Sequence, residues 1–203
     1  MILIGRDLSP FVRRTATTLN LLGLDYEREQ IAAADAVEYI RKYNPLARVP
    51  TLIVDDDAII DSAAIIDYAL ELTADHQTLL PSAGTARRVT LKHSAIATGI
   101  MEKSVVAAYE RTQRPPEYVY QPYRERVLGQ VSAGCVELDQ ALGDRTCVGG
   151  DAPDLADVNA VVAYDFTGIV AQQTRDGADL KHLAGLSERA NRIDAFAATR
   201  WQG

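Results

Sequence analysis

Three short stretches in the first third of the chain place a hydroxyl or a carboxylate where a helix or a strand must begin. In "DLSPFVRR", Ser9-Pro10 follows the apolar run "MILIG". Serine is a favoured N-cap and proline a favoured first helical residue, so Ser9 reads as a cap. The same position follows a strand end, where open α/β sheets bind ligands. A helix N-terminus there offers free N–H groups and partial positive charge to an anion. Ser9 is therefore either a cap alone or a hydroxyl that also meets a substrate. In "NPLARVPTLIV" (44–54), Pro50 opens a β-rich run, although proline cannot donate to a ladder. A cis Val49-Pro50 bond in a tight turn resolves this, and would expose the Val49 backbone N–H and C=O to an extended ligand. In "DSAAIIDYA", Ser62 reads as the cap of a helix and Asp61 as an acid at a strand end. The pair is either a cap beside a solvated acid or a receptor for an amino-acid zwitterion. In the second case the amine falls on Asp61 and the carboxylate on Ser62 and the helix N–H groups.

The elements around these residues follow from periodicity. Ile2 to Ile4 is a short apolar run ended by Gly5, a buried strand. From Pro10 to Leu22, Val12, Ala16 and Leu19 recur at helical spacing, and Gly23 follows as the stop. "DYEREQI" (25–31) alternates as an outer strand, and "AADAVEYIRKY" (33–43) is helical until Asn44-Pro45. "PTLIVD" (50–55) and "AII" (58–60) form a hairpin across the acidic turn Asp55-Asp56-Asp57. "SAAIIDYALEL" (62–72) is again helical. The order β-α-β-α-β-β-α predicts an α/β layout with a small mixed sheet.

Beyond "TADHQTLLPSAGTA" (73–86), which is turn-rich, helical periodicity dominates. Helices are expected over 84–113, 118–142, 154–173 and 186–198, separated by "RPPE", "GDRTCVGGDAP" and "RDGAD". Val127, Leu128, Val131, Cys135, Leu138 and Leu142 make an apolar stripe at steps of three and four. In "DLAD", Asp154 suits an N-cap and Asp157 the position three residues on that reaches back to it. That capping box opens a buried helix through Val158, Val161, Val162, Phe166 and Ile169, a folding device with no chemistry assigned to it.

Composition narrows the function. The 203 residues are 47% apolar, enough for one large or two small cores. A net charge of −7 argues against bulk nucleic-acid binding. Residues 1–80 hold 7 Lys/Arg against 13 Asp/Glu, and the remainder 14 against 15, compatible with a boundary between two units. Two cysteines, Cys135 and Cys147, have no metal-site or C-x-x-C spacing. No metal is expected. No stretch approaches the ~20 apolar residues of a membrane span, and the start lacks the features of a signal peptide. The expected location is cytoplasmic, with no membrane or nucleic-acid partner.

Taken in order, "SPF.RR", "NP...VP.L" and "DS.AI..Y" resemble the glutathione S-transferase superfamily, most closely its bacterial, serine-using branches. The resemblance covers the whole chain, with "LAD" where the family has it. It implies a thioredoxin-like glutathione-binding domain (1–76), a linker (77–86) and an all-helical domain (87–203). It further implies that Ser9 donates its hydroxyl to the glutathione sulfur as the catalytic residue. Val49, before the cis-proline Pro50, would pair with the cysteinyl backbone, and Asp61 and Ser62 would hold the γ-glutamyl end. The family's usual residue at position 61 is Glu or Gln, so Asp61 is shorter by one methylene. For the glycine carboxylate Arg48 is the nearest cation, with Arg41 and Lys42 behind it; each also reads as a solvated surface residue.

The function so implied is conjugation or addition of the glutathione thiolate to a small electrophile, with isomerase or peroxidase side activity. Glutathione is the cosubstrate, the role is detoxification and the protein a homodimer. Leu8, Phe11, Ile100, Met101, Val105 and Tyr109 are candidate residues for the second-substrate pocket, each equally readable as core. The alternative is a glutathione-binding, catalytically weak regulatory or interaction protein of the same fold. A redox role of glutaredoxin type is disfavoured, since it needs a cysteine where Ser9 stands. Cys135 reads as a core thiol, Cys147 as an exposed loop residue, and His76, His93 and His182 fall outside the motifs. Arg13 and Arg14 read as helix-face residues serving the local field or a dimer contact.

Overall fold

The computed structural model describes residues 1–73, 79–148 and 152–203, and divides the chain into two compact units, Met1–Gln77 with Asn191–Gly203, and Thr78–Ala190. The expected linker begins at residues outside this description, as does His76, and the same holds for part of the 143–153 loop.

The first unit is built on strands β1 (Ile2–Ile4), β2 (Glu27–Glu29), β3 (Thr51–Val54) and β4 (Asp57–Ile60) in the order β2-β1-β3-β4. β2 runs parallel to β1, whereas β3 is antiparallel to both β1 and β4. With helices α1 (Pro10–Leu21), α2 (Val37–Arg41) and α3 (Ser62–Glu71) this is the expected thioredoxin-like domain. Leu3, Leu52, Val12, Ala16, Leu19, Ile65 and Ala69 form its core, joining the sheet to α1 and α3. The end of α1 shows why Gly23 stops it. Gly23 has φ +66°, its N–H donates to the Asn20 carbonyl, and the Leu24 N–H donates to that of Leu19. These two bonds satisfy carbonyls that the helix leaves open, at a backbone angle that glycine adopts without cost.

α2 is shorter than its apolar spacing predicts. Its start at Ala36 has no side-chain cap, and residues 32–35 close a separate turn through Asp35 N–H to the Ala32 carbonyl. At α3 the cap is Asp61, with φ +73° and its carboxylate accepting from Ala63 N–H at 2.8 Å. Ser62 is the first helical residue and not the cap.

In the second unit α4 (Gly84–Thr112) packs against α5 (Gln121–Leu142) and α6 (Leu155–Val170), followed by α7 (Gln173–Asp176) and α8 (Lys181–Ala190). The predicted α5 stripe from Val127 to Leu142 is buried throughout. Cys135 lies within it, and burial pushes its thiol up to about 11, so it is an inert core residue at neutral pH. Cys147 is also buried, contrary to its expected exposure. The Asp154 box forms as read: Asp154 Oδ1 accepts from Ala156 N–H (2.7 Å) and Asp157 N–H (3.1 Å), and Asp157 Oδ2 accepts from Asp154 N–H (3.0 Å).

The helix expected over 186–198 is two helices, α8 and α9 (Asp194–Ala197). α8 begins early because the buried Asp139 of α5 accepts from Leu183 N–H at 2.8 Å, a cap supplied from another helix. It ends where Asn191 accepts a bond from Arg13 Nη2 at 2.9 Å. From Asn191 on, the chain belongs to the first unit and not to the helical one: Thr17 and Thr199 share a hydrogen bond, and Asn20 donates to the Ala195 carbonyl. Arg13 and Arg14 are buried rather than on an open helix face.

Candidate active site

One row of the sheet register collects the three sequence motifs. Glu29 pairs with Ile4, Ile4 with Thr51, and Thr51 with Ile60. The turn leading to Ser9 leaves β1 after Ile4, Val49-Pro50 enters β3 before Thr51, and Asp61-Ser62 leaves β4 after Ile60. All three therefore lie at the same end of the sheet, as strand direction requires. The Val49-Pro50 bond is cis, and neither the N–H nor the C=O of Val49 has a backbone partner among the described residues. Ser9 caps α1, its Oγ accepting from Val12 N–H at 3.4 Å. A serine hydroxyl has two lone pairs and one proton. Capping uses a lone pair, so the proton stays available to a ligand. The two readings of Ser9 do not compete.

At the third motif, the Asp61 cap engages Oδ1, while Oδ2 has no protein partner among the described residues. Ser62 is buried, and its hydroxyl likewise has none. The positive φ of a non-glycine residue costs of order 1–3 kcal/mol and clusters at ligand sites. Of the cations considered, Arg41 pairs with Glu38 and Lys42 lies over the Tyr39 ring, whereas Arg48 is exposed with no ion pair among the described residues. The Arg48 carbonyl accepts from Asn44 Nδ2 and Thr51 Oγ1, both at 3.0 Å, so the buried Asn44 braces the loop that carries Val49. Nothing in the sequence beyond the break at Asn44-Pro45 signals that role.

Gly5 is a second residue whose role only the fold reveals. It has φ +130°, and a β-carbon there would stand 2.4 Å from Val12 Cγ2 and 2.9 Å from Val49 Cβ. It lets β1 pass between the start of α1 and the cis-proline loop. Gly5→Ala is expected to cost about 2–5 kcal/mol through backbone conformation and overpacking together. Urea unfolding checks this, and a loss under about 0.5 kcal/mol would contradict it.

Among the other candidates, Leu8 and Phe11 are half-buried in the first unit. On α4, Ile100 and Met101 are buried, Val105 is half-buried and Tyr109 is exposed. His93 is buried, which lowers its pKa and keeps it neutral, and His182 lies 3.8 Å from Asp144. Among the described residues no group of His, Cys, Asp and Glu could hold a metal, and no helix is long and apolar enough to cross a membrane.

Residues 3–77 match the family described as glutathione S-transferase, N-terminal domain. Glutathione S-transferase U8 of Arabidopsis thaliana is 27% identical over 168 residues, 82% of this chain and 70% of that protein. The uncharacterized GST-like protein YibF of Escherichia coli is 26% identical over 98% of each chain. A glutathione S-transferase from Methylobacterium radiotolerans, solved in complex with glutathione sulfonate, superposes with a TM-score of 0.88 at 25% identity, covering 98% of this chain and 93% of that one.

Proposed function

Because the chain belongs to the glutathione S-transferase superfamily, we propose that it binds glutathione at the Ser9 end of its sheet and transfers the thiolate to a small electrophile. The observation that carries this reading is the Glu29–Ile4–Thr51–Ile60 register row, which gathers an available hydroxyl, an unpaired backbone segment and an acid–serine pair. Ser9 donates to the sulfur, Val49 pairs its N–H and C=O with the cysteinyl backbone, and Asp61 and Ser62 take the γ-glutamyl amine and carboxylate. Arg48 is the cation for the glycine carboxylate. The relative solved with glutathione sulfonate adds support for a glutathione-type ligand.

The chemistry needs little beyond binding. A free thiol has a pKa near 8.5, so only a few per cent is nucleophilic at pH 7. Lowering it by about two pH units takes roughly 2.7 kcal/mol. A charge-assisted bond contributes about 1.5–3 kcal/mol and a helix N-terminus up to ~2. Ser9 keeps its own proton throughout, and no general base is called for.

Calorimetry with glutathione, followed by turnover of a panel of aryl halides and other electrophiles, tests the reading. Saturable binding weakened about ten-fold by Ser62→Ala, with turnover on at least one electrophile, is expected; a tenfold loss corresponds to about 1.4 kcal/mol for the lost carboxylate contact. No binding at millimolar glutathione would refute it. Binding without turnover across the panel would favour a catalytically weak binding protein.

A further inference from the structure

The turn that delivers Ser9 is held by residues some twenty positions away. Ser9 N–H donates to the Arg6 carbonyl at 3.0 Å, so Arg6 to Ser9 closes one four-residue turn with Asp7 second in it. Both oxygens of Asp7 are engaged from β2 and the residue after it. Arg28 Nη2 donates to Oδ1 at 2.6 Å, and Gln30 Nε2 donates to Oδ2 at 2.7 Å. Gln30 Oε1 in turn accepts from Asp7 N–H at 3.3 Å, so its amide grips the backbone and side chain of Asp7 together. The Asp7 and Arg28 side chains are only 12% and 21% exposed, which sets this pair apart from an open surface ion pair. Arg6, at the head of the turn, lies over Trp201, 5.9 Å from the ring centroid.

These contacts are not needed to close the sheet. Gly5 N–H already donates to the Glu29 carbonyl, continuing the β1–β2 ladder to the end of the strands. What the Asp7 cluster adds is the placement of the turn, and hence of the hydroxyl two residues further on. Misplacing a reacting contact by about 1 Å can cost of order a hundredfold. We infer that Asp7 is a positioning residue, which through Arg28 and Gln30 locks the Arg6–Ser9 turn so that the Ser9 hydroxyl meets the glutathione sulfur. The inference rests on the reading of Ser9 given above. Asp7 touches neither substrate nor reacting atoms. Its charge is matched by Arg28, so it does not oppose the thiolate.

A double-mutant cycle on the full chain tests it, read on the pKa of bound glutathione from thiolate absorbance against pH. Asp7→Ala is expected to raise that pKa by about one pH unit, a roughly three-fold loss of thiolate at pH 7 that approaches ten-fold below about pH 6. In a Ser9→Ala background it is expected to add nothing. Asp7→Asn combined with Gln30→Glu reverses donor and acceptor across the pair, and is expected to restore the wild-type value where Asp7→Asn alone does not. Fluorescence of Trp201, the only tryptophan in the chain, reports whether the turn is intact. If Asp7→Ala fails to fold, Gln30→Ala reads the same coupling with the ion pair kept. An unchanged thiol pKa in Asp7→Ala, or an equal shift with and without the Ser9 hydroxyl, overturns the positioning role and leaves the Ser9 reading intact. An unchanged value in Ser9→Ala overturns the Ser9 reading itself.

Discussion

Ser9→Ala is expected to lower turnover at pH 7 by about 10- to 100-fold, the equivalent of one charge-assisted hydrogen bond to the sulfur. The loss depends on pH in a defined direction. In the proposed site the wild-type protein lowers the thiol pKa, and is therefore expected to hold thiolate from below neutrality upwards. The variant regains thiolate only as pH rises towards the solution value near 8.5. The ratio of wild-type to variant rates should therefore be largest at about pH 6 and below, fall as pH rises through 7 to 8, and approach one above about pH 9. A constant ratio across that range would mean that Ser9 acts through something other than ionisation. The substitution also removes the Val12 cap, at about 1 kcal/mol of stability, which unfolding measures separately from the rate.

The largest effect on stability is expected from Asp157→Ala. Asp157 is fully buried at the start of α6, where Oδ1 accepts from Val148 N–H at 2.7 Å and Oδ2 from Asp154 N–H at 3.0 Å. Its partner Asp154 accepts from two helix N–H groups and from Thr90 Oγ1 of α4. The alanine leaves two buried amides without an acceptor, at about 1–3 kcal/mol each. A loss of roughly 3–5 kcal/mol follows, a large share of the about 5–15 kcal/mol by which an ordinary domain is stable. Asp157→Asn keeps one acceptor and should lose less. Burial pushes the Asp157 carboxyl up to about 7, against the pull of the two backbone donors. Since that value lies above the unfolded one, the folded state holds the extra proton. The Asp157 contribution is complete below about pH 4 and is lost as pH rises through about 7. Thermal unfolding should show a fall over that interval that Asp157→Asn flattens. An Asp157→Ala protein as stable as wild type would mean that the Asp154–Asp157 box does not stabilise this unit.

The features legible in the sequence are those whose cause is local. Ser9 and Pro10 announce α1 and Gly23 ends it, because cap, proline ring and left-handed glycine act within one turn. The Asp154 box and the α5 stripe are legible for the same reason. What escaped depends on partners distant in the chain. Asp139 starts α8 from another helix, so the true start at Lys181 has no signal of its own. Residues 191–203 join the first unit through bonds to Arg13, Thr17 and Asn20, contacts that no periodicity encodes. Arg13 and Arg14 look like surface residues, yet both are buried, Arg13 with a bond to Asn191 of that segment. The cap of α3 slipped by one residue because Asp61 takes a positive φ that its side chain does not advertise. Of the candidate site, the three motifs were legible by spacing. Gly5, Asn44 and the Asp7–Arg28–Gln30 cluster emerge only once the strands are in register.

The proposed function turns on whether the N-terminus of α1, with the Ser9 hydroxyl, stabilises a thiolate. Titrating the ultraviolet absorbance of glutathione bound to the wild-type protein measures it directly. An apparent pKa about two pH units below the solution value of 8.5 is expected, rising towards that value in Ser9→Ala. A bound thiol that ionises at its solution pKa, in a protein that binds glutathione saturably, would contradict it.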